Sequence, residues 1–531
     1  MLNSDNPWPS LDEAESWVLR IQQKLHRWSK EEEDRRYDDL FNLVYDRHTL
    51  RVAWERIKRN RGSRTAGVDG HTRRSIECGS GAEAFLEAIR NALKMRVYRP
   101  LPTRERLIPK ANGKMRRLGI PALQDRVVQM AFKLILEPIF EVDFSPTSYG
   151  YRPARRAQDA IAQIVQFINP PGGYNYVVEG DIEACFDNVH HGILMRQLHR
   201  RINDRRMLQV IRSFLVAGIV TENGRFESTL TGTPQGGILS PLLANIYLSV
   251  LDRHMEARWR EQQRIRGSTL HRRGLPTYRM VRYADDFVIM VRGTRQQAEA
   301  LRDEVAMLLR DELKMKLSES KTLITHVDQG FDFLGHHIRR WPYRKKLVGW
   351  TYPSKKSLAE LKRKVKSLTR RQTTSLSLDQ LLAALNRVLR GWAMYFRFDA
   401  SKNTFSYVDH FVWWRLHRWT RKKHPTRRIR WLKRQYRDGG WRFQYQGIEL
   451  FRLSTVPVQR YRYRGAKIVL PWMSPDEFGS VGRFARSDPA EPHMLSTLQQ
   501  ALTITPSGLV ESRMRGNAHV RFGERLGESG I

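Results

Sequence analysis

Apolar residues recur at helical spacing in the first third of the chain. Within 11–60 they lie among charged side chains, which predicts amphipathic helices around Leu40, Leu43, Val44, Trp54 and Ile57. The run 61–82 is rich in Gly, Ser and Thr, so it is predicted to be a loop. The helical pattern then returns, and further helices are predicted at 83–95, 122–140 and 155–168.

Shorter apolar runs predict strands in the middle of the chain. Two of them, within 104–120, flank an Asn-Gly dipeptide, which favours a tight hairpin turn. The run 174–182 is typical of a buried strand, and a second hairpin is predicted where 278–283 and 287–291 flank an Ala-Asp-Asp tripeptide. Predicted helices separate these strands, at 190–217, 236–259 and 295–313.

Basic helices are predicted from residue 355 onward. The first carries apolar residues three and four positions apart, at Leu358, Leu361, Val365 and Leu368. A second helix follows Ser377, a favourable N-cap, and a third spans 404–420, so a small helical bundle is expected. Short strands are predicted within 441–475. Beyond 476 the Gly, Pro and Ser content rises without periodicity, which predicts a poorly ordered tail.

The charge of the chain indicates a polyanionic partner. The 531 residues include 93 Lys and Arg against 55 Asp and Glu, a formal net charge of +38. Only two cysteines occur, Cys78 and Cys185, which excludes a disulfide framework and fits a reducing compartment. The N-terminus lacks the pattern of a signal peptide, and no run reaches the roughly 18 apolar residues of a membrane span. We therefore expect a cytoplasmic protein whose acidic partner is not a membrane, with a lipid surface as the open alternative.

Three aspartates occupy unusual places in this pattern. Asp181 ends a predicted strand, while Asp285 and Asp286 occupy the tip of a predicted hairpin. Adjacent carboxylates repel one another unless a cation lies between them, and Mg²⁺ binds carboxylate oxygens together with substrate phosphates. Three converging carboxylates would suit two metal ions about 3.5–4 Å apart. Taken alone, an Asp-Asp pair in a hairpin is more typical of a solvated turn.

Sequence blocks around these aspartates add context. DIEACFD at 181–187, TPQGGILSPLLANIYL at 233–248 and YADD at 283–286 resemble, in order and spacing, the palm motifs of reverse transcriptases. Six further blocks narrow the family: GVDG at 67–70, IPKANGKMRRLGIP at 108–121, DRVVQ at 125–129, SYGYRP at 148–153, FLGH at 333–336 and LRGWAMYF at 389–396. Together they resemble a bacterial group II intron reverse transcriptase/maturase over roughly residues 37–440.

This resemblance implies an α+β right-hand polymerase with fingers, palm and thumb. The implied divisions are an N-terminal extension at 1–95, fingers and palm at 96–350, a thumb or maturase domain X at 351–437, a small basic DNA-binding region at 438–475 and a tail at 476–531. Relatives often end in an HNH endonuclease with metal-binding cysteines. No cysteine follows Cys185, so the sequence predicts that this module is absent.

The resemblance also implies roles for individual residues. It makes Asp181, Asp285 and Asp286 the catalytic and Mg²⁺-binding carboxylates, with two ions and deoxynucleoside triphosphates expected. The implied nucleotide-binding residues are Lys110, Arg116, Phe186, Gln235 and Lys321. Phe186 would exclude a 2′-hydroxyl, and Lys321 would protonate the leaving pyrophosphate. The implied primer grip is Phe333, Leu334 and Gly335. The alternatives are a core phenylalanine for Phe186, a plain turn at Gln235 and a solvated basic hairpin at Lys110 and Arg116.

The segment 410–437 combines Trp with Lys and Arg and contains no acidic residue. It predicts a nucleic-acid contact through Arg421, Lys422, Lys423, Arg427 and Arg428. Trp413 and Trp414 point about 100° apart on a helix, so one is expected inside and the other outside. The alternative is a bundle with core tryptophans and solvated cations.

Three functional hypotheses remain from the sequence. The first is an RNA-directed DNA polymerase that binds its group II intron RNA, promotes splicing and copies the intron by target-primed reverse transcription. Its expected partners are the intron RNA, target DNA and an RNA/DNA primer-template duplex, with no membrane, and a location in the bacterial cytosol near the nucleoid. The other two are a splicing-only RNA-binding maturase and a reverse transcriptase domesticated for defence. The oligomeric state is not readable.

Overall fold

The computed structural model describes residues 7–109, 113, 115–170, 172–265, 269, 272–344, 346–437 and 442–473. The predicted tail lies outside these residues, as does the Asn of the first hairpin turn. The chain forms two compact units. The first takes in the described residues up to Ala160, Val178–Ile324 and those from Arg464 onward, and the second consists of Ile161–Val177 and Thr325–Tyr463.

Helices form the N-terminal part of the first unit: α1 (Leu11–Glu31), α2 (Phe41–Val44), α3 (Arg47–Lys58), α4 (Arg73–Cys78) and α5 (Ala82–Lys94). They confirm the helical periodicity in 11–60 and 83–95. The prediction of a continuous loop over 61–82 is wrong, because α4 begins there behind Thr72. The side chains of Thr72 and Ser75 each bond the other's backbone N–H, and this capping box supports a short helix.

Helix α6 (Leu123–Phe140) forms the centre of this part of the core. Nearly all of its residues are buried, and α1 and α3 pack against it. Gln22 of α1 donates a hydrogen bond to the Leu134 carbonyl, which satisfies a buried amide. Pro138 lies inside the last turn, so the helix continues to Phe140 instead of ending at the proline.

The first predicted hairpin is confirmed. Strands β1 (Thr103–Pro109) and β2 (Met115–Ile120) pair antiparallel, with Arg116 opposite Ile108. Two short strands, β4 (Ile219–Val220) and β5 (Phe226–Glu227), extend the sheet in the order β2-β1-β4-β5.

A second four-stranded sheet carries the predicted aspartates. Its strands are β3 (Tyr176–Asp181), β6 (Thr277–Tyr283), β7 (Asp286–Arg292) and β8 (Leu323–His326), in the order β6-β7-β3-β8. The chain of β3 and of β8 continues into the second unit. The accompanying helices are α7 (Ala157–Ile168), α8 (His191–His199), α9 (Arg205–Val216), α10 (Ser240–Arg264) and α11 (Arg295–Leu313). Helix α10 packs against β6 and α11.

The second unit combines a small sheet with a helical bundle. The sheet contains β9 (Phe331–Phe333), β10 (His336–Tyr343) and β11 (Lys346–Pro353). The bundle contains α12 (Lys355–Leu368), α13 (Leu378–Phe396), α14 (Lys402–Lys423) and α15 (Ile429–Tyr436). Ser377 and Gln380 form the capping box of α13, as the sequence predicts for Ser377. Strands β12 (Gln444–Tyr445) and β13 (Ile448–Glu449) follow as one short antiparallel pair.

The second unit begins before the implied thumb boundary at residue 351. The reason is local packing, because the Gly335 carbonyl accepts hydrogen bonds from the Ser354 N–H and the Ser357 hydroxyl, both at 2.9 Å. The Tyr395 hydroxyl donates to the Leu334 carbonyl at 3.0 Å. The small sheet is thereby joined to the bundle.

Among the described residues, no helix combines the length and the apolar character needed to cross a membrane.

Candidate functional site

The adjacent aspartates lie at a two-residue hairpin turn. Tyr283 pairs with Asp286, so Ala284 and Asp285 form the tip between β6 and β7. Ala284 has φ of 59°, the left-handed conformation that residues other than glycine rarely adopt. Phe287 and the strand that follows are buried. The backbone therefore holds Asp285 at the end of two buried strands.

Arg282 fixes this turn from inside the protein. Its side chain is fully buried, and its Nε and Nη2 donate to the two carboxylate oxygens of Asp252 at 2.8 and 2.5 Å. Its Nη1 donates to Asn245 Oδ1 at 3.0 Å and to the Ala284 carbonyl at 2.8 Å. A buried guanidinium is tolerated only with a counter-charge and hydrogen-bond acceptors, and here one acceptor belongs to the turn. Arg282 therefore positions the residue next to Asp285.

Gly150 supports the same turn from the other side. Asn245 Nδ2 donates to the Gly150 carbonyl at 2.8 Å, and the Tyr149 N–H donates to the Arg282 carbonyl at 2.9 Å. A Cβ atom at Gly150 would lie 2.2 Å from the Ala284 nitrogen. Only glycine fits there, which gives the SYGYRP block a physical role beneath the YADD turn.

Asp181 ends strand β3, the neighbour of β7 in the sheet. Its carbonyl accepts a hydrogen bond from the Ser318 N–H at 2.8 Å. Its Oδ2 accepts one from the Lys321 ammonium at 2.8 Å. The structure therefore pairs Lys321 with a carboxylate, a contact that the sequence did not predict.

The charges of Asp181 and Asp285 interact. Burial raises the pKa of Asp285 above its ordinary value, and the negative charge of Asp181 raises it further. The charges of Arg116 and Arg282 act on Asp285 in the opposite direction. Of the predicted residues, the structure thus brings together Asp181, Asp285, Lys321 and Arg116.

The donor set of this site fits a hard cation. Asp181 already binds one positive group, the Lys321 ammonium. A cation between Asp181 and Asp285 would relieve the repulsion between these two carboxylates. Carboxylate oxygens are the ligands that Mg²⁺ binds alongside phosphates. Within the described residues, no group of three or more His, Cys, Asp and Glu side chains is arranged as a preformed metal site. The three predicted carboxylates are therefore not closed around one position in this structure.

Phe186 lies in the turn that follows Asp181. It is half-buried, and its ring meets that of Tyr151 edge to face, with centroids 6.3 Å apart. Its carbonyl accepts a hydrogen bond from the Thr233 N–H at 2.8 Å. The ring is held in place but partly open to solvent, unlike a core phenylalanine.

Gln235 lies between the first sheet and the Asp181 turn. Its Nε2 is 3.3 Å from Asp187 Oδ1, and its carbonyl accepts from the Gly119 N–H at 2.9 Å. Gly236 has φ of 126°, and a Cβ there would lie 2.6 Å from the Gly119 carbonyl oxygen. The close approach to β2 requires glycine. It also explains why α10 begins at Ser240 and not at the predicted 236.

The DRVVQ block positions the surrounding loops. Gln129 Oε1 accepts a hydrogen bond from the Ile238 N–H at 2.8 Å, which fixes the end of the TPQGG turn. The Arg126 guanidinium donates to three backbone carbonyls, those of Gly62, Thr65 and Pro121. No role is predicted for these two side chains from the sequence. A polar residue within a largely apolar helix is the signal by which they could be found.

The structure describes one of the two predicted fingers cations. Arg116 lies on β2, and Lys110 lies outside the described residues.

The predicted primer grip forms a tight turn between β9 and β10. Phe333 is buried, while Leu334 and Gly335 have φ of 49° and 81°. His336, the next residue, is buried with its Nδ1 2.7 Å from Asp399 Oδ2. This pair, which the sequence did not single out, joins the turn to the end of α13.

Comparison with known families agrees with this arrangement. Residues 108–338 match the family described as reverse transcriptase (RNA-dependent DNA polymerase), and residues 358–437 match the group II intron, maturase-specific domain. Protein YkfC of Escherichia coli (strain K12) is 37% identical over 359 residues, which cover 64% of this chain and 93% of that protein. The chain belongs to the group II intron reverse transcriptase/maturase family.

Two further relatives agree with this membership. The group II intron-encoded protein LtrA of Lactococcus lactis subsp. cremoris is 36% identical over 366 residues, covering 59% of each chain. Nuclear intron maturase 2, mitochondrial, of Arabidopsis thaliana is 29% identical over 279 residues, covering 41% of this chain and 38% of that one. The reverse transcriptase/maturase assignment and the α+β fold with a helical C-terminal region are thus confirmed.

The maturase-specific domain coincides with helices α12 to α15. Trp414 is 43% exposed, whereas Trp413 is half-buried and stacks on His417 with centroids 5.4 Å apart. Trp414 is therefore the outer of the two, as helical geometry predicts, whereas Trp413 is only half-buried and does not belong to the core.

The five predicted nucleic-acid-binding cations of this domain differ in their surroundings. Arg421, Lys422, Arg427 and Arg428 are exposed. The Lys423 ammonium instead donates to the carbonyls of Thr374 and Leu376, at 2.7 and 2.8 Å. Lys423 is thus tied to the bundle, while the other four cations face solvent.

Proposed function

We propose that this chain copies RNA into DNA at the site formed by Asp181 and Asp285, with Asp286 as the third carboxylate. The observation that carries the proposal is the pair of carboxylates at neighbouring strand ends, with the turn that carries Asp285 held by the buried Arg282. When bound, two Mg²⁺ ions would activate the primer 3′-hydroxyl and neutralise charge on the leaving pyrophosphate. Asp181 and Asp285 would hold these ions, and Lys321 would move from Asp181 toward the phosphates.

The nucleotide would bind between the two sheets of the first unit. The charge of Arg116 acts on Asp285, which places Arg116 near the carboxylates. Together with Lys110 it would neutralise the charge of the triphosphate. Gln235 would release its hydrogen bond to Asp187 and contact the incoming nucleotide instead. Phe186, held edge to face by Tyr151, would exclude a 2′-hydroxyl by its bulk.

We further propose that the RNA is a group II intron, which the protein helps to splice and then copies from a primer in target DNA. The maturase-specific domain and the intron-encoded relatives support this role, as does the net charge of +38. Phe333, Leu334 and Gly335 would hold the primer, and the exposed cations of α14 and the residues after it would contact RNA. The implied domain boundaries stay a proposal.

The alternative of a splicing-only maturase is disfavoured by one observation. A protein that only binds RNA gains nothing from a raised-pKa carboxylate facing a second carboxylate, since this arrangement costs stability. RNA that co-purifies with the protein should be sequenced. Enrichment of one intron, whose splicing the protein accelerates, supports the proposal, and RNA without intron sequences contradicts it.

A further inference from the structure

One face of the hairpin formed by β10 and β11 carries solvent-exposed aromatic side chains. The register pairs Trp341 with Val348 and Tyr343 with Lys346, so odd-numbered residues of β10 and even-numbered residues of β11 share this face. Trp341 is 51% exposed, Tyr343 50% and Tyr352 38%. Tyr343 also meets Trp350 edge to face, at 5.8 Å between centroids.

Cations accompany these rings. The Arg339 guanidinium lies 4.2 Å from the Trp341 ring centroid, and that of Arg344 lies 5.5 Å from Tyr343. Lys346 is exposed on the same face. The one carboxylate that the register places on this face, Asp332, is 2.8 Å from His337 Nδ1. The face is therefore basic as well as aromatic.

The opposite face of the hairpin supplies its packing. Ile338 is fully buried, and a Cβ at Gly349 would lie 2.6 Å from Ile168. Arg340 on that side is paired with Asp328, with Nε 2.6 Å from Oδ1. Because the hairpin is already anchored there, the exposed rings are not needed to hold it to the protein.

We propose that the face formed by Arg339, Trp341, Tyr343, Lys346, Trp350 and Tyr352 binds single-stranded nucleic acid. Rings spaced along a strand stack on unpaired bases, and interleaved cations bind the phosphates between them. In a duplex the base faces are covered by neighbouring bases, so this surface favours the unpaired part of a template or of a structured RNA. The inference rests on the proposed function for its nucleic-acid substrate and adds a binding surface on the hairpin.

The test compares full-length variants in binding to labelled 20-nucleotide oligo(U), oligo(dT) and an RNA duplex. Raised salt suppresses the binding that phosphates alone provide. The double variant Trp341→Ala with Tyr343→Ala should bind oligo(U) roughly 10- to 100-fold more weakly, while its affinity for the duplex changes less than about threefold. A parallel loss with oligo(dT) shows that stacking dominates, and a loss with oligo(U) alone shows that the 2′-hydroxyl contributes. Both results support the proposal.

Leu347→Ala is the matched control, because Leu347 is 41% exposed but lies on the opposite face of the same hairpin. It should bind oligo(U) like the wild type, as should Trp341→Phe, which keeps a ring. Ultraviolet crosslinking of 4-thiouridine-containing oligo(U) should label the hairpin in the wild type and not in the double variant.

Unchanged affinity and no crosslink on the hairpin would overturn the proposal and assign the face to a protein contact. Equal losses with Leu347→Ala and the double variant would also overturn it, since the hairpin fold would then be the cause. Primer extension on a short primed template separates the two proposals. If the wild type extends the primer but the hairpin variants bind oligo(U) normally, only the surface is wrong.

Discussion

Arg282 and Asp252 form a buried ion pair that lies 30 residues apart in sequence and directly supports the hairpin tip at Asp285. The same guanidinium donates to the Ala284 carbonyl, so the pair links helix α10 to the turn. The geometry of the candidate catalytic carboxylate thus depends on charges that do not touch substrate.

Replacing one partner of this pair should destabilise the protein more than replacing both. Arg282→Met leaves the Asp252 carboxylate buried and uncompensated, at a cost of about 3–5 kcal/mol in the free energy of unfolding. The double variant Arg282→Met with Asp252→Leu should recover much of that loss, as urea unfolding would show. Primer extension should stay impaired in both, because the bond to the Ala284 carbonyl is gone. A stable double variant with normal extension would mean that the pair serves folding only.

Asp125 should make stability depend on pH. It is buried where it accepts hydrogen bonds from the Tyr98 hydroxyl at 2.6 Å and the Leu101 N–H at 3.0 Å, and burial raises its pKa to about 7. The folded protein therefore holds this proton more tightly than the unfolded chain. Its contribution to stability is fully present below about pH 4 and is lost as the pH rises through 7.

Asp125→Asn isolates this contribution. The wild type should lose stability relative to the variant between pH 4 and 7.5, by on the order of 3 kcal/mol, in urea unfolding at each pH. Asp303→Asn, a change at an exposed aspartate, should run parallel to the wild type. A constant difference between Asp125→Asn and the wild type across this range would contradict the buried, raised-pKa carboxyl.

Phe186→Ala should relax the choice of sugar. Removing the ring creates space without a new hydrogen bond, so ribonucleotide insertion should rise relative to deoxynucleotide insertion by at least about tenfold. Single-nucleotide insertion on a primed RNA template measures the ratio. Tyr151→Phe, which keeps the neighbouring ring, serves as the control. An unchanged ratio would make Phe186 a structural residue.

The exposed cations at the C-terminal end of α14 and just after it should determine the salt dependence of RNA binding. Neutralising Arg421, Lys422, Arg427 and Arg428 together should flatten the plot of log K against log salt by roughly 0.7–0.9 for each lost phosphate contact. Lys423→Gln should leave that slope unchanged and lower stability instead, because Lys423 bonds two carbonyls of its own bundle. A wild-type slope in the fourfold variant would place the RNA elsewhere.

Local patterns predicted much of this fold. Alternating and apolar runs gave the hairpin that carries Asp285, and Ser377 marked the start of α13. The helix behind Thr72 differs from the predicted loop, because the surrounding glycines favour a loop while Thr72 and Ser75 have capping-box spacing. That signal was present in the sequence.

The partners of the site could not be predicted in the same way. Arg282, Asp252 and Asn245 meet only because α10 packs on β6, and nothing local specifies that contact. Arg282 itself, a charged residue within the largely apolar strand β6, is the one sign of this network in the sequence. The pairing of Lys321 with Asp181 likewise depends on a contact across 140 residues.

Primer extension by Asp285→Asn tests the central claim most directly. The change keeps the size of the side chain and removes its charge, so DNA synthesis from a primed RNA template should fall by about 10³-fold, equivalent to some 4 kcal/mol of barrier. RNA affinity should stay near that of the wild type, because the basic surface is intact, and the unfolding midpoint should not fall, because the Arg282 network remains and the repulsion between Asp285 and Asp181 is removed. Asp311→Asn, at an exposed position far along α11, should extend normally. Extension by Asp285→Asn at near the wild-type rate would contradict the assignment of the active site.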